Sequence, residues 1–262
     1  MNVARVWAIV GKDLADAFSS AEIYGPMLGI PLFFAILLPL FTVYVSQYAG
    51  TELAAKLLGI EASIIGGNVA NRLAFIVYFS INILGPIFLT MPIITSSVIA
   101  ADCFVGEKES KTAESLLTSP ITKGELFLGK ILASAIPAFG ITIAVFLIFG
   151  GIINYFTNLY YHTLIFPNTD WYLMLADAPA LIMATIGLVV IVSSKVKSIK
   201  EAQQISALIA LPIFIIPFVS VFALVSLSPE FFLGLLLVLA VVALLVIYLG
   251  IRTFKKERLI AA

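Results

Sequence analysis

Long apolar segments, repeated along the whole chain, constrain this fold more than any other feature. The 262 residues are 61% hydrophobic and 11% charged, whereas a soluble globular domain is about 25% charged. A run of about 20 apolar residues can cross a hydrocarbon core of about 30 Å as a helix. Strand-like alternation of apolar and polar residues is absent from the sequence, so we predict a helical membrane bundle and not a barrel.

Six apolar segments have the length of membrane-spanning helices. They lie near 25–47, 75–101, 127–154, 172–193, 204–226 and 231–251. No connection between them is long enough for a folded soluble domain. We therefore predict a single domain over 1–262, with a six-span bundle at 25–251 and a tail at 252–262. An even number of spans places both termini on the same side of the membrane.

Residues 1–22 have the pattern of an amphipathic helix. Apolar residues recur at helical spacing, and charged residues occupy the other positions. The apolar set is Val3, Val6, Trp7, Val10, Leu14, Ala17 and Phe18, and the charged set is Arg5, Lys12, Asp13 and Asp16. We predict a helix that lies in the membrane interface, where Trp7 is favoured. The alternative is an ordinary solvated segment that precedes the first span.

The distribution of basic residues predicts which side of the membrane is cytoplasmic. Lys and Arg concentrate in the N-terminal helix, in the connections after the second and fourth spans, and in the tail. The opposite side carries only Lys56 and Arg72 of the 15 Lys and Arg residues. Because cytoplasmic loops are enriched in these residues, we predict a multi-pass protein of the cell membrane with both termini in the cytoplasm. A formal net charge of zero gives no indication of a nucleic-acid partner.

A charged segment at 106–130 separates the second and third apolar runs. Within it, Glu107 and Lys111 form a pair four residues apart in the order that stabilises a helix. Two leucines follow on one face of the same helical pattern. We therefore predict a short amphipathic helix at 107–117 on the cytoplasmic side.

The end of this short helix and the start of the next one are also marked in the sequence. Ser119 and Pro120 are expected to end it, because proline cannot continue a helix. Thr122 precedes Glu125 by three residues at the start of the third apolar run, which is the pattern of a capping box. The predicted arrangement is a helix, a stop and a new helix; a solvated connector without a partner is the alternative.

Residue types used in catalysis, metal binding and phosphate binding do not cluster in this sequence. The single cysteine, Cys103, and the single histidine, His162, do not build a metal site of the usual composition. The segment 106–112 resembles a phosphate-binding loop only in part, because it lacks the second glycine and follows a membrane span. We predict no catalytic residue, no metal, no cofactor and no ATP site on this chain.

Asp177 is the only acidic residue that we place inside a span. It lies near the start of the fourth span, where Trp171 and Tyr172 mark a membrane interface. One interpretation is an outer-interface residue. The other is a possible intramembrane polar site that binds a proton or a cation, because charges inside membranes are costly and typically functional.

Over 24 residues, the sequence resembles the permease subunits of ABC-2 type ATP-binding-cassette transporters. The matching residues are Glu107, Lys108, Glu109, Thr112, Glu114, Leu116, Leu117, Ser119, Pro120, Ile121, Glu125, Leu126, Gly129 and Lys130. The N-terminal helix, the six spans and the pair Ala202-Gln203 resemble the family in layout. Lys111 stands where the family usually has a glycine.

The resemblance implies an all-α polytopic membrane protein, a single transmembrane permease domain with six transmembrane helices, an N-terminal interfacial helix and a cytoplasmic coupling helix. It implies an exporter that works in membrane lipid with a second permease half, in a homodimer or a heterodimer, and with separate ABC ATPase subunits that hydrolyse ATP. The implied ATPase-coupling interface consists of Glu107, Lys108, Glu109, Thr112, Glu114, Leu116, Leu117, Ser119 and Pro120.

Two other functions are compatible with a bundle of this kind. A stand-alone secondary transporter, coupled to an ion gradient, would require Asp177 and no ATPase. A membrane enzyme or an assembly and maturation factor would require a polar cluster within the spans, which the sequence lacks.

Overall fold

The computed structural model describes residues 2–48, 76–77, 79–106, 109, 121–193, 195–196, 198–208, 215 and 228–253. Within these ranges the chain forms helices and no strand. The helices are α1 (Val3–Ser19), α2 (Ala21–Tyr48), α3 (Ser80–Gly106), α4 (Lys123–Tyr161), α5 (Thr169–Ser193), α6 (Ile199–Ala207) and α7 (Pro229–Thr253). Five of the described helices, α2, α3, α4, α5 and α7, are long and apolar enough to cross a membrane.

The helical membrane architecture predicted from the sequence is confirmed. Each of the five spanning helices coincides with one of the predicted spans, although α4 is longer at both ends than the predicted span at 127–154. The start of the predicted span at 204–226 coincides with the end of α6. Except for 204–208 and 215, that span lies outside the described residues.

The central helix of the bundle is α3. Nearly every residue from Gly85 to Ala101 is buried, and the helix packs against α2, α4, α5 and α6. One turn of π-helix flanks this α-helical part on each side, at Ser80–Leu84 and Asp102–Gly106. The second of these turns ends α3 at the same end of the bundle at which α4 begins.

Two spanning helices, α2 and α7, lie at the outside of the described bundle. Only 28% of the most apolar stretch of α2 and 17% of that of α7 is buried. Their exposed side chains include Phe33, Phe41, Leu237 and Leu244. Helices with such surfaces face lipid or another apolar protein surface, as expected of a multi-pass membrane protein.

The N-terminal helix forms as predicted and packs against α4. Its buried face contains Val6, Ile9, Val10, Asp13 and Ala17, while Val3, Trp7 and Phe18 are exposed. At 100° per residue, the buried face is rotated by about 60° from the centre of the apolar stripe. Part of that stripe is therefore left uncovered, as an interfacial helix requires.

The expectation that Asp13 belongs to the polar face of α1 is wrong. Asp13 is only 4% exposed. It is buried because the helix packs with this rotated face toward α4, which brings the carboxylate into contact with that helix.

Several helix ends meet at one end of the bundle. The first residues of α1, α4 and α6 and the last residues of α3 and α5 lie there, as their mutual contacts show. We call this end, which carries Asn2, Gly106, Thr122 and Ser198, the polar end. The opposite end, at which α4 ends and α5 begins, is called the far end.

The contact between α5 and α7 depends on a glycine. A Cβ atom on Gly187 would lie 2.7 Å from Val246 Cγ1 and 3.2 Å from the backbone nitrogen of Ile247. The missing side chain therefore lets the two helices approach closely, which is a common packing mode between membrane helices.

We expect Gly187→Ala to lower the stability by about 1–3 kcal/mol, because the added methyl group overpacks this contact. Gly140→Ala is the matched control, since a Cβ atom there would have no neighbour within 4 Å, and alanine is the better helix former. Thermal unfolding of the detergent-purified variants measures the difference. Equal midpoints for the two variants would contradict this packing role.

Candidate functional site

Most of the predicted coupling interface lies outside the described residues. This applies to Glu107, Lys108, Thr112, Glu114, Leu116, Leu117, Ser119 and Pro120. Glu109 is the member of the set that the structure describes, and it is helical and exposed. The prediction of a coupling helix at 107–117 therefore remains a prediction, and the site is built from Glu109 and the helix ends around the segment.

Glu109 joins the segment after α3 to the start of α6. Its carboxylate oxygen Oε2 accepts a hydrogen bond from the backbone N–H of Ile199 at 2.8 Å. The first N–H groups of a helix have no partner within the helix and carry partial positive charge. Ser198 satisfies a second such group, because its hydroxyl oxygen accepts from the N–H of Glu201 at 3.2 Å.

A small apolar cluster lies beside this hydrogen bond. Ala101 and Val105 of α3 pack with Val196 and Ala202, and all four side chains are buried. The partly buried Ile199 packs against the same cluster. The end of α3 and the start of α6 are thus held together by both apolar contacts and a charged hydrogen bond.

The capping box predicted at the start of α4 is confirmed. The backbone N–H of Glu125 donates to Thr122 Oγ1 at 3.3 Å, and the N–H of Thr122 donates to Glu125 Oε2 at 3.0 Å. The same carboxylate also reaches α1. Its Oε1 accepts from the N–H of Asn2 at 2.6 Å, and its Oε2 lies 3.9 Å from Arg5 Nη1.

Glu125 therefore connects the first turns of two helices that are far apart in the sequence. The capping pattern is local and could be found in the sequence. The contacts with Asn2 and Arg5 span more than 100 residues, and nothing in the local pattern indicates them.

A buried ion pair connects α1, α3 and α4 deeper in the polar end. Lys130 Nζ lies 3.8 Å from Asp13 Oδ2, and both side chains are almost fully buried. The same ammonium group donates a hydrogen bond to the backbone carbonyl of Cys103 and lies 5.9 Å from the centre of the Phe104 ring. Lys12 approaches the other oxygen of Asp13 at 3.3 Å.

The environment of Lys130 is suited to a buried cation. Cys103 contributes one of the last four carbonyl groups of α3, which a helix by itself leaves unpaired and which carry partial negative charge. The ammonium group thus has a carboxylate, a carbonyl and an aromatic face around it. Lys130 lies near the start of the predicted third span at 127–154 and is 0% exposed.

The structure places Asp177 inside the bundle. It lies eight residues after the start of α5 and is 0% exposed. Neither carboxylate oxygen has a hydrogen-bond partner within the described part of the chain. Both interpretations of Asp177, the outer-interface residue and the intramembrane polar site, remain predictions, because burial inside the bundle does not give its depth in the membrane.

His162 and Cys103 have structural roles in the described residues. His162 ends α4 in the left-handed conformation, with φ of 54°, and its N–H donates to the carbonyl of Asn158. Cys103 is a buried free thiol at the end of α3. A search of the described residues finds no group of three His, Cys, Asp or Glu side chains that could hold a metal ion.

Comparison with known families identifies the chain. The family model described as ABC-2 family transporter protein matches residues 7–233. The chain belongs to the ABC-2 family of transporter proteins. It is therefore a permease subunit of an ABC transporter, a membrane component of transport that crosses the bilayer several times. A comparison with curated proteins finds no match.

We expect Lys130→Met in this ABC-2 permease to be strongly destabilising, by about 3–5 kcal/mol, because it removes the buried cation beside Asp13 and leaves the half-exposed Lys12 as the nearby positive charge. The double variant Asp13→Leu, Lys130→Met should recover much of this loss, since it removes both buried charges. Lys12→Met is the control and should cost less than about 1 kcal/mol, because that side chain is 53% exposed. Thermal unfolding in detergent ranks the three variants. Equal losses in the single and double variants would contradict the ion-pair interpretation.

Proposed function

We propose that this permease subunit is driven by separate ABC ATPase subunits, which bind the segment at 107–117 and move it during their ATP cycle. The observation that carries the proposal is the connection of this segment to the bundle. It follows α3 directly after Gly106, and it precedes the capped start of α4 at Thr122. Glu109 links it to α6 as well.

These connections supply a physical route from the ATPase to the spans. A displacement of the segment pulls on the ends of α3 and α4, because no long free linker lies between the segment and either helix. The Lys130–Asp13 pair and the Glu125 contacts tie α1 to the same two helices. Rigid, packed elements of this kind shift together between discrete arrangements, so a small local movement is transmitted along the helices.

The proposal includes the wider arrangement of the transporter. A second permease half, identical or different, completes the pathway, and the exposed apolar surfaces of α2 and α7 are available to lipid and to that partner. Both termini and the polar end lie in the cytoplasm of a cell whose plasma membrane contains the protein. Transport is directed outward, and residues 1–262 act as one permease domain.

A charge-reversal experiment tests the coupling segment. We expect Glu107→Lys combined with Glu114→Lys to abolish co-purification of an ABC ATPase from native membranes, read by mass spectrometry, because like charges that face each other across an interface cost several kcal/mol. Glu52→Lys combined with Glu61→Lys, in the connection predicted on the opposite side, is the matched control. Undiminished recovery of the ATPase with the first pair, or full transport after deletion of 107–117, would contradict the proposal.

The proposed orientation can be tested by cysteine labelling in intact cells. Leu164 lies at the far end, and its exposed fraction is 68%. A membrane-impermeant maleimide should therefore label the variant Leu164→Cys. Lys123→Cys at the polar end should be labelled only after the cells are opened. Wild-type protein gives the background, because its Cys103 is buried. Labelling of Lys123→Cys in intact cells would contradict the proposed orientation and place the polar end outside the cell.

A further inference from the structure

The buried carboxylate of Asp177 lacks the partners that other buried charges in this protein have. Lys130 is surrounded by Asp13, a backbone carbonyl and an aromatic ring, and Glu125 accepts two backbone hydrogen bonds beside Arg5. Both oxygens of Asp177 are without a hydrogen-bond partner in the described ranges. Burial of a charge without compensation is costly, so the carboxyl group is either protonated or paired with a positive group.

The spanning helices do not supply that positive group. The sequence contains no Lys or Arg between Lys130 and Lys195, and none between Lys200 and Arg252. The helices α2 and α3 also contain no Lys or Arg. Lys130 lies near the polar end and already contacts Asp13 and the carbonyl of Cys103. A positive partner of an ionised Asp177 does not come from the spanning helices of this chain, and we expect it to come from a bound molecule.

The surroundings of Asp177 favour an organic cation over a metal ion. Met174 and Leu181, one turn away on each side along α5, are fully buried apolar residues. A metal ion such as Ca²⁺ needs six or more oxygen ligands, whereas the described residues contain no cluster of three acidic, His or Cys ligands. An ammonium, phosphonium or guanidinium group with an apolar body needs one carboxylate and apolar walls.

An aromatic cluster lies less than two helical turns from Asp177, toward the far end. It consists of Trp171 with Phe88, Phe146, Phe149 and Phe166, and the distances from the centre of the Trp171 ring system to the four phenyl rings are 4.8–6.3 Å. Aromatic rings contact apolar groups and also attract cations through their faces. Because the five side chains are buried and packed in the core, the apolar part of a lipophilic cation with its charge at Asp177 contacts them only when the helices move apart.

A second acid lies on the same face of α5, between Asp177 and the far end. Asp170 precedes Asp177 by seven residues, which corresponds to two turns and about 10 Å. It is half-buried, and its Oδ1 has no hydrogen-bond partner in the part of the chain that the structure describes. Glu230, at the start of α7, is close enough to Asp170 for their charges to interact. Negative charge at the far end attracts cations toward the deeper carboxylate.

Access to Asp177 requires movement of α5, and the helix contains a weak turn at this position. Pro179 lies two residues after Asp177 inside the helix. Proline has no N–H group to donate to the carbonyl of Leu175, so the helix bends more easily there. Movement of the neighbouring α3, to which α5 is packed, can therefore open and close the surroundings of the carboxylate.

We propose that Asp177 binds the cationic group of a lipophilic organic cation that this permease transports, while the aromatic cluster around Trp171 contacts the apolar part of the same molecule. The inference rests on the proposed function, because it assigns the substrate class of the permease. It does not depend on the ATPase, since binding is a property of the permease itself.

Equilibrium binding of radiolabelled tetraphenylphosphonium to the detergent-purified permease tests the site, with displacement by excess unlabelled compound used to define specific binding. We expect saturable binding to the wild type, at least tenfold weaker binding to Asp177→Asn, and partial retention in Asp177→Glu. Asp16→Asn is the matched control, because this acid is exposed on α1 at 61%, and it should bind as the wild type does. Elution volume and thermal midpoint confirm that each variant is folded.

A second measurement needs no variant. Tetraphenylborate has nearly the same shape as tetraphenylphosphonium and the opposite charge, so it should compete at least tenfold less effectively for the wild-type site. Absence of saturable binding, equal affinity of the wild type and a folded Asp177→Asn, or equal competition by tetraphenylborate would overturn the assignment of Asp177.

The outcome is separable from that of the coupling experiment. Charge-dependent binding at Asp177 together with unchanged ATPase recovery after reversal of Glu107 and Glu114 would overturn the coupling proposal and leave the cation site standing. Loss of the ATPase on charge reversal, with no dependence of tetraphenylphosphonium binding on Asp177, would support the coupling proposal and overturn the cation site.

Discussion

The polar end of this protein depends on a single buried ammonium group. Lys130 belongs to α4, but its charge is compensated by Asp13 of α1 and by a carbonyl at the end of α3. In a low-dielectric interior, none of the three can move away alone without leaving a charge or a carbonyl unpaired. The three helices are therefore fixed relative to one another at the end of α3, directly before the segment at 107–117 on which we propose that the ATPase subunits act.

The two ends of the bundle differ in how their polar groups are satisfied. At the polar end, Glu125, Lys130 and Glu109 each have partners from another helix or segment, and the helix ends are held together by these charged hydrogen bonds. In the far half, Asp177 has no hydrogen-bond partner among the described residues and lies near a proline inside α5. The polar end is held together by charged contacts, and the far half contains a buried acid without a hydrogen-bond partner among the described residues. This difference is consistent with a transporter that is driven at its polar end and binds its substrate in its far half.

Much of the fold follows from local sequence patterns, and the site follows from them only in part. The apolar runs predicted the five described spanning helices, and Thr122 with Glu125 predicted a capping box that the structure contains. The burial of Asp13 was not predicted, because it lies among the charged residues of α1 in the sequence, and the partners of Lys130 were not predicted, because they lie on other helices. Their burial follows from the rotation of α1 on α4, a choice among faces of a helix that local periodicity does not make.

Local sequence features are enough to identify this chain as a helical membrane protein with a charged segment between its second and third spans. Composition and run length suffice for that, because hydrocarbon admits only segments whose backbone polar groups are internally satisfied. Which charges are compensated depends on how the helices pack, and sequence patterns do not give it. The pairing of Lys130 with Asp13, and the lack of a hydrogen-bond partner for Asp177 among the described residues, depend on contacts between helices that are distant in sequence. Those contacts set the electrostatic energies of buried groups.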